Sequence, residues 1–234
     1  MPEAIPSKTR LLVKLLAANI VSTLVLGGLM VLAAGTWRWP QLWILGIEVT
    51  VLNLGVHLWL LNYNPALLAE RLGSPRQPNQ TSWDKVFVVF AIIGMPIWFA
   101  VPGLDHRWGW SMVPVWIQVV GAVLIAVSLL SMVLVFHANS FAAPVVKVQA
   151  ERGHSIVDTG PYAYVRHPMY SGAIPFLMGM PLLLGSWYGL IGSVATVLTL
   201  GFRAVGEERL LTQELDGYPE YAARVRYRLI PGVW

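Results

Sequence analysis

Two polar segments in the second half of the chain carry side chains that could do chemistry. The first, "TGPYAYVRHPMYSG" at residues 159–172, combines tyrosines, an arginine and a histidine with two prolines. The second, "FRAVGEERLL" at residues 202–211, holds Arg203 and, on the same face if helical, Glu207, with Glu208 beside it. Such groups can clamp a carboxylate through a guanidinium or accept a proton.

Each segment also has a plainer interpretation. The prolines fix the backbone of the first segment, which could be a membrane-surface loop with tyrosines at headgroup level and an arginine against lipid phosphate. The second could be a solvated helix end whose Arg203–Glu207 pair is worth a few tenths of a kcal/mol. Which interpretation holds depends on the elements that position the two segments.

The composition of the chain is that of a membrane protein. Of its 234 residues, 56% are hydrophobic and 12% are charged, whereas soluble domains carry about 25% charged residues. No linker, repeat or low-complexity tract divides the chain, so residues 1–234 are predicted to form one membrane domain. The absence of cysteine excludes disulfides and thiolate chemistry, and the scattered histidines lack the spacing of metal ligands.

Apolar runs at residues 15–34, 42–61, 86–104 and 112–136 meet the length of about 20 residues that a transmembrane helix needs. The run at 170–200 would measure about 46 Å as one helix, against a hydrocarbon core of about 30 Å. The sequence "GSW" at 185–187 predicts a break, and therefore a hairpin with two legs of about 15 residues each. The predicted fold is an all-α integral membrane protein, with four transmembrane helices followed by a C-terminal helical hairpin.

Basic residues predict the orientation. If the N-terminus is cytoplasmic, only Arg38 and Arg107 among the 16 lysines and arginines lie on the opposite side. Because cytoplasmic loops favour Lys and Arg, both termini and both polar segments are predicted to be cytoplasmic. The net charge of +4 is then explained by topology, and no nucleic acid is expected as a partner.

The polar segments carry a resemblance to a known family. "GHSIVDTGPYAYVRHPMYSG", followed by "RAVGEERLL" and "GYPEYAARV", resembles the C-terminal half of the isoprenylcysteine carboxyl methyltransferases. That family belongs to a wider group of small integral-membrane methyltransferases that includes phospholipid methyltransferases. The similarity covers roughly residues 136–231. It implies that residues 1–136 supply N-terminal transmembrane helices, and that residues 137–234 form a methyltransferase-like half with a cytoplasmic-face cofactor pocket.

The resemblance also implies roles for particular residues. Arg203 matches a substrate-side arginine, and Glu208 belongs to the motif. On chemical grounds, an amine substrate would need a proton acceptor, for which Glu208 or His167 are candidates. His137, Asn139 and Ser140, at the end of the fourth span, are expected near the pocket or at substrate access, unless they only cap the helix. The residues implied to bind S-adenosylmethionine are Gln149, His154, Ser155, Ile156, Val157, Tyr162, His167, Pro168, Met169, Tyr170 and Glu207.

The leading hypothesis is an S-adenosylmethionine-dependent methyltransferase that acts on a lipophilic or lipidated substrate. This substrate would enter the site sideways from the membrane lipids. A prenylcysteine-like carboxylate is one candidate acceptor; a phospholipid amine, a quinone-like or isoprenoid lipid and a small thiol are others. An NADPH-dependent membrane reductase is an alternative, although an arginine cluster for a 2′-phosphate is absent outside the tail. A non-catalytic scaffold or a transporter is a third, although the inverted repeat of many transporters is absent. The tail from residue 216 is amphipathic and could cover the site or lie on anionic lipid.

Overall fold

The computed structural model describes residues 6–75, 77 and 80–234, and every regular element in that part of the chain is helical. The helices of the N-terminal half are α1 (Lys8–Ala34), α2 (Pro40–Tyr63), the short α3 (Pro65–Arg71), α4 (Ser82–Trp108) and α5 (Val115–Ala138). Those of the C-terminal half are α6 (Pro168–Leu183), α7 (Tyr188–Glu214) and α8 (Tyr218–Arg224), with 3₁₀ turns at Ala150–Arg152 and Gly160–Ala163.

The predicted fold class is confirmed. Helices α1, α2 and α4 contain the first three predicted spans, and α5 contains most of the fourth. Helix α7 is a fifth described helix that is long and apolar enough to cross a membrane. The fourth span begins at Val115 rather than at residue 112, because Pro114 has an extended backbone and lacks the N–H that an interior helical residue donates. The chain is an all-α integral membrane protein.

The C-terminal hairpin is also confirmed, with one correction to its length. The chain breaks at Gly185, whose φ of 79° is left-handed, and the Ser186 hydroxyl caps α7 by accepting from the Gly189 N–H at 3.0 Å. The first leg, α6, has 16 residues. The second leg does not stop after about 15 residues. No proline interrupts it, so α7 continues for 27 residues and includes the second polar segment.

The long helices pack as a ring in the order α1, α2, α5, α6, α7, α4 and back to α1. The closest approach joins α5 to α6 at two glycines. A Cβ on Gly121 would lie 2.6 Å from the Gly179 carbonyl oxygen, and a Cβ on Gly179 would lie 2.5 Å from the Gly121 carbonyl oxygen. Small residues allow such backbone contact between membrane helices. The segment from 139 to 167 therefore leaves α5 and returns to α6 at the same end of the bundle.

The two ends of the bundle differ in what they hold. One end, called here the pocket end, contains an apolar cluster that includes Leu11, Leu67, Phe136 and Tyr162. Both polar segments lie there. The opposite end, called here the turn end, contains the α6–α7 turn and the buried Asp105, which is 2% exposed.

Candidate functional site

The two polar segments meet at the pocket end through direct contacts. Tyr170 donates its hydroxyl to Glu207 Oε2 at 2.7 Å, and His167 Nδ1 lies 3.6 Å from the same oxygen. The other histidine nitrogen, Nε2, lies 3.2 Å from Glu208 Oε1, and Arg166 Nε donates to that oxygen at 2.6 Å. Residues far apart in the sequence thus form one charged network.

The first polar segment is not the membrane-surface loop of the plainer interpretation. Tyr162, Arg166, His167 and Tyr170 are each at most 9% exposed, while Tyr164 alone among its tyrosines is largely exposed, at 72%. Helix α8 and the tail cover the segment: the Tyr221 hydroxyl donates to the Tyr162 carbonyl at 2.9 Å.

Local sequence explains the shape of this segment. Gly160 opens a 3₁₀ turn with a left-handed φ of 58°, and a Cβ there would lie 3.2 Å from Ala138. Pro168 is the first residue of α6, where its missing N–H leaves no hydrogen bond unmade. These two residues turn the chain sharply between α5 and α6 and so point His167 and Tyr170 at α7.

Glu208 ties the network to the tail. Its Oε1 contacts Arg166 and His167, and its Oε2 accepts from Arg228 Nε at 2.9 Å. Arg166 Nη1 also donates to the Val225 carbonyl at 2.7 Å. The tail therefore covers the site, which is one of the two positions expected for it. Both oxygens of Glu208 are occupied, so the catalytic role implied by the resemblance meets a competing structural role as the hub of the network.

This network favours the charged form of His167. Burial alone would lower the pKa of His167, but the hydrogen bonds and negative charges of Glu207 and Glu208 outweigh burial and raise it above its ordinary value. The network therefore favours a protonated His167, which donates hydrogen bonds and accepts none.

A cavity of about 90 Å³ opens beside the network. Nine of the residues predicted to act at the site line it: His154, Ser155, Ile156, Val157, Tyr162, His167, Met169, Tyr170 and Glu207. Asn139, expected near the pocket, also lines it. Further lining residues that the sequence did not single out for the pocket are Phe141, Ala142, Ala143, Val145, Val146, Lys147, Arg166, Leu211, Leu215, Tyr218 and Tyr221.

Four predicted site residues do not line the cavity: Gln149, Pro168, Arg203 and Glu208. Gln149 is completely buried and holds the preceding loop together. Its Nε2 donates to the Phe141 carbonyl at 2.8 Å, and its Oε1 accepts from Arg152. It therefore positions Phe141, whose ring packs against the His154 ring with centroids 4.5 Å apart.

The sequence indicated Glu207 as the partner of Arg203, whereas the structure pairs Arg203 with Asp84. Its Nε donates to Asp84 Oδ1 at 2.9 Å, and its Nη2 donates to the Pro144 carbonyl at 2.8 Å. Arg203 is 7% exposed, so it is neither part of a solvated helix end nor a free clamp for an acceptor carboxylate.

Sequence reasoning missed Asp84. This residue is 0% exposed, and its Oδ2 accepts from the Val146 N–H at 2.9 Å and from Gln80 Nε2 at 2.8 Å. It joins α4 to α7 and to the loop that lines the cavity. The available signal was an acid in the first turn of a long apolar helix, where an acid is favourable in any case.

Fold and site together define a helical membrane protein with a polar, aromatic cavity at one end of its bundle. Residues 116–216 match a family model described as phospholipid methyltransferase. The chain is also 27% identical over 127 residues to Protein-S-isoprenylcysteine O-methyltransferase B of Arabidopsis thaliana, a match that covers 53% of this chain and 61% of that relative's length. These matches confirm the predicted resemblance to the group of membrane methyltransferases that includes the isoprenylcysteine and phospholipid families.

The cavity has the chemistry that a sulfonium cofactor with an aromatic base needs. Both contacts of the Glu207 carboxylate use Oε2, and 27% of that side chain is exposed, so it can receive a cation. Burial lowers the pKa of His154 below its ordinary value, which keeps that ring neutral beside Phe141. The cavity volume is below the roughly 300–1,000 Å³ of ligand pockets.

Proposed function

We propose that the protein transfers a methyl group from S-adenosylmethionine to a lipophilic acceptor at the membrane surface. The observation that carries this proposal is the convergence of both polar segments on one cavity, with a partly exposed carboxylate, Glu207, among aromatic side chains. The family match supports it, because residues 116–216 contain α7 through Glu214 and the whole first segment.

The residues of this chain then have distinct tasks. S-Adenosylmethionine supplies an electrophilic methyl group on a positively charged sulfur. Glu207 holds that positive charge, and Tyr170 and His167 fix the orientation of the Glu207 carboxylate. Tyr162, Phe141 and the buried loop exclude water from the cavity. Because methyl transfer in line mainly needs aligned reactants, positioning is the principal contribution of the protein.

The acceptor is an apolar molecule with a nucleophilic head. The relative's name identifies a prenylated cysteine and the family description identifies a phospholipid, and both have a long apolar chain that a membrane-embedded bundle can meet from the bilayer. A carboxylate acceptor is ionised at neutral pH and needs no general base. This agrees with a site in which two carboxylates raise the pKa of His167 and both oxygens of Glu208 accept hydrogen bonds.

The test is methyl transfer by the purified protein in lipid nanodiscs. We expect labelled product when isotope-labelled S-adenosylmethionine is added with lipid extract, and mass spectrometry identifies the acceptor. Glu207→Gln should lose most of this activity, while Asp158→Asn, at an exposed ion pair, should keep it. Tight binding of NADPH in calorimetry, with none of S-adenosylmethionine, would establish the reductase alternative instead.

We further propose that the pocket end is cytoplasmic, on the basis of the distribution of basic residues in the sequence. Single cysteines at Ser7, Met112 and Tyr227 test this orientation in a chain that has no native cysteine. All three positions are exposed. We expect a membrane-impermeant reagent to label the cysteine at position 112 from outside, and the cysteines at positions 7 and 227 only after permeabilisation. Labelling of all three from outside would contradict the orientation.

A further inference from the structure

Arg71, at the end of α3, is a half-buried cation whose Nε is fully buried and which has no carboxylate partner among the described residues. Its guanidinium lies 4.3 Å from the centroid of the Phe136 ring, and its Nη1 donates to the Ala142 carbonyl at 2.9 Å. Its Nε is buried and has no hydrogen-bond partner. The neighbouring cations are paired instead: Lys147 with Glu70 and Arg203 with Asp84, each at 2.9 Å.

An unpaired buried charge is unfavourable unless something compensates it. Burial lowers the pKa of Arg71 to about 10, so the guanidinium is still charged at neutral pH. One carbonyl and one aromatic face are weaker compensation than a carboxylate. A bound anion would therefore compensate the charge of Arg71 and stabilise this part of the fold.

The position of Arg71 connects this site with the cavity. Its Nη1 lies 3.7 Å from Met169 Sδ, and both Met169 and Ala142 line the cavity. Tyr162 lines the same cavity and belongs to the same apolar cluster as Phe136, the ring that Arg71 covers. Arg71 therefore borders the wall of the cavity.

We propose that Arg71 binds the anionic head of the methyl acceptor and thereby selects lipids whose head carries a carboxylate or a phosphodiester. This inference rests on the proposed function. It replaces Arg203 in the acceptor-side role, because Arg203 already neutralises Asp84 whereas Arg71 has no acidic partner in the described chain. The apolar chain of the acceptor stays in the bilayer beside the helices.

The experiment compares Arg71→Gln and Arg71→Lys with Arg224→Gln, an arginine in an exposed ion pair. The acceptors are an S-prenylated N-acetylcysteine and phosphatidylethanolamine, each supplied in nanodiscs. We expect Arg71→Gln to raise the KM of the acceptor by about tenfold or more, as for a lost charge-assisted contact. Its dissociation constant for S-adenosylmethionine should stay within about twofold, Arg71→Lys should recover part of the loss, and Arg224→Gln should match the wild type.

Competition by the carboxamide of the prenylated cysteine shows whether Arg71 binds the negative charge of the acceptor or only supports the structure. The wild type should prefer the carboxylate over the carboxamide, and Arg71→Gln should lose that preference. If Arg71→Gln does not fold, Arg71→Lys carries the same test, because a single ammonium should weaken the preference without abolishing it. Turnover of only one acceptor tells whether the anion is a carboxylate or a phosphodiester.

Three results would overturn the assignment of Arg71: an unchanged acceptor KM in Arg71→Gln, an equal affinity of the wild type for carboxylate and carboxamide, or a loss of cofactor affinity as large as the loss of acceptor affinity. Failure of the proposed function looks different. In that case the wild type itself neither binds S-adenosylmethionine nor transfers a methyl group.

Discussion

Both ends of the bundle bury acidic side chains, but they hold them with different partners. At the turn end, Asp105 accepts from the Ser111 N–H at 2.8 Å, from the Ser111 hydroxyl at 2.6 Å and from the Ser186 hydroxyl. All these donors are neutral. At the pocket end, Asp84 and Glu208 are held by arginines, and Glu207 by a tyrosine and a histidine.

The difference lies in the charge of the partners. Both oxygens of Asp105 accept hydrogen bonds that lock the α6–α7 turn onto the loop after α4, and among the described residues the cavity of about 470 Å³ that Asp105 also lines has no such charged network. Glu207 contacts Tyr170 and His167 through Oε2, so its Oε1 makes neither of these two contacts, and the residue lines the cavity at the pocket end. A buried network of charged side chains beside a cavity is typical of a functional site. The predictions below test this contrast, from the largest expected effect to the smallest.

Removing one member of the Asp84–Arg203 pair should have the largest effect. Asp84→Ala or Arg203→Ala leaves the partner buried and uncompensated, so the free energy of unfolding should fall by about 3–5 kcal/mol. Thermal unfolding in detergent measures the change. The double variant Asp84→Leu with Arg203→Met should recover most of the stability, because it leaves no buried charge.

The matched control for that pair is Asp158→Asn. Its ion pair with Arg224 is exposed, at 45% and 65% of the two side chains, so the change should be about 0–1 kcal/mol. Equal losses for Asp84→Ala and Asp158→Asn would contradict the view that the buried pair holds the pocket end together.

Neutral isosteres at the two ends should separate binding from stability. Glu207→Gln should weaken S-adenosylmethionine binding by about 1.5–3 kcal/mol, as for a charge-assisted hydrogen bond. Asp105→Asn should leave binding unchanged and reduce the free energy of unfolding by about 1–3 kcal/mol, because it disrupts buried hydrogen bonds of the turn. Calorimetry and thermal unfolding of both variants provide the measurements. Loss of cofactor affinity in Asp105→Asn would erase the contrast between the ends.

The smallest effect expected is a pH dependence that comes from His167. Because its pKa in the folded protein is raised above the ordinary value of 6.5, its stabilisation is fully present below about pH 6.5. The stabilisation is lost as the pH rises through the folded-state pKa. The free energy of unfolding, measured from acid to alkaline pH, should therefore decline above about pH 6.5. His167→Gln should flatten this decline, and an identical profile in the variant would assign it to another group.

Much of the fold could be predicted because membrane helices leave a strong signal. Length and apolar composition located the four spans, and one "GSW" triplet located the hairpin break. The second leg was predicted too short, since apolarity ends near residue 200 whereas the helix continues until Leu215 ends it. Helix continuation depends on backbone hydrogen bonds, which a polar side chain does not interrupt.

The site could be predicted only in part because burial depends on elements far away in the sequence. Glu207 and the His154–Val157 run matched a family motif. The tail that buries Arg166 and His167 makes most of its contacts through backbone carbonyls at residues 222–229, which leave no pattern in the side chains. Asp84 and Arg71 stand alone at helix ends, so no motif distinguished them from ordinary caps. Asp84 is significant because Arg203 pairs with it, and Arg71 is significant because no described carboxylate pairs with it.

The small volume of the cavity has a consequence for how tightly a ligand is held. If the pocket admits a nucleoside only after the loop around Gln149 swings outward, the observed affinity equals the intrinsic affinity multiplied by the fraction of molecules in the open form. A substitution that loosens the loop, such as Gln149→Ala, removes its bonds to Phe141 and Arg152 and so populates the open form. Such a variant, although the substituted residue touches no ligand, should bind a nucleoside more tightly than the wild type.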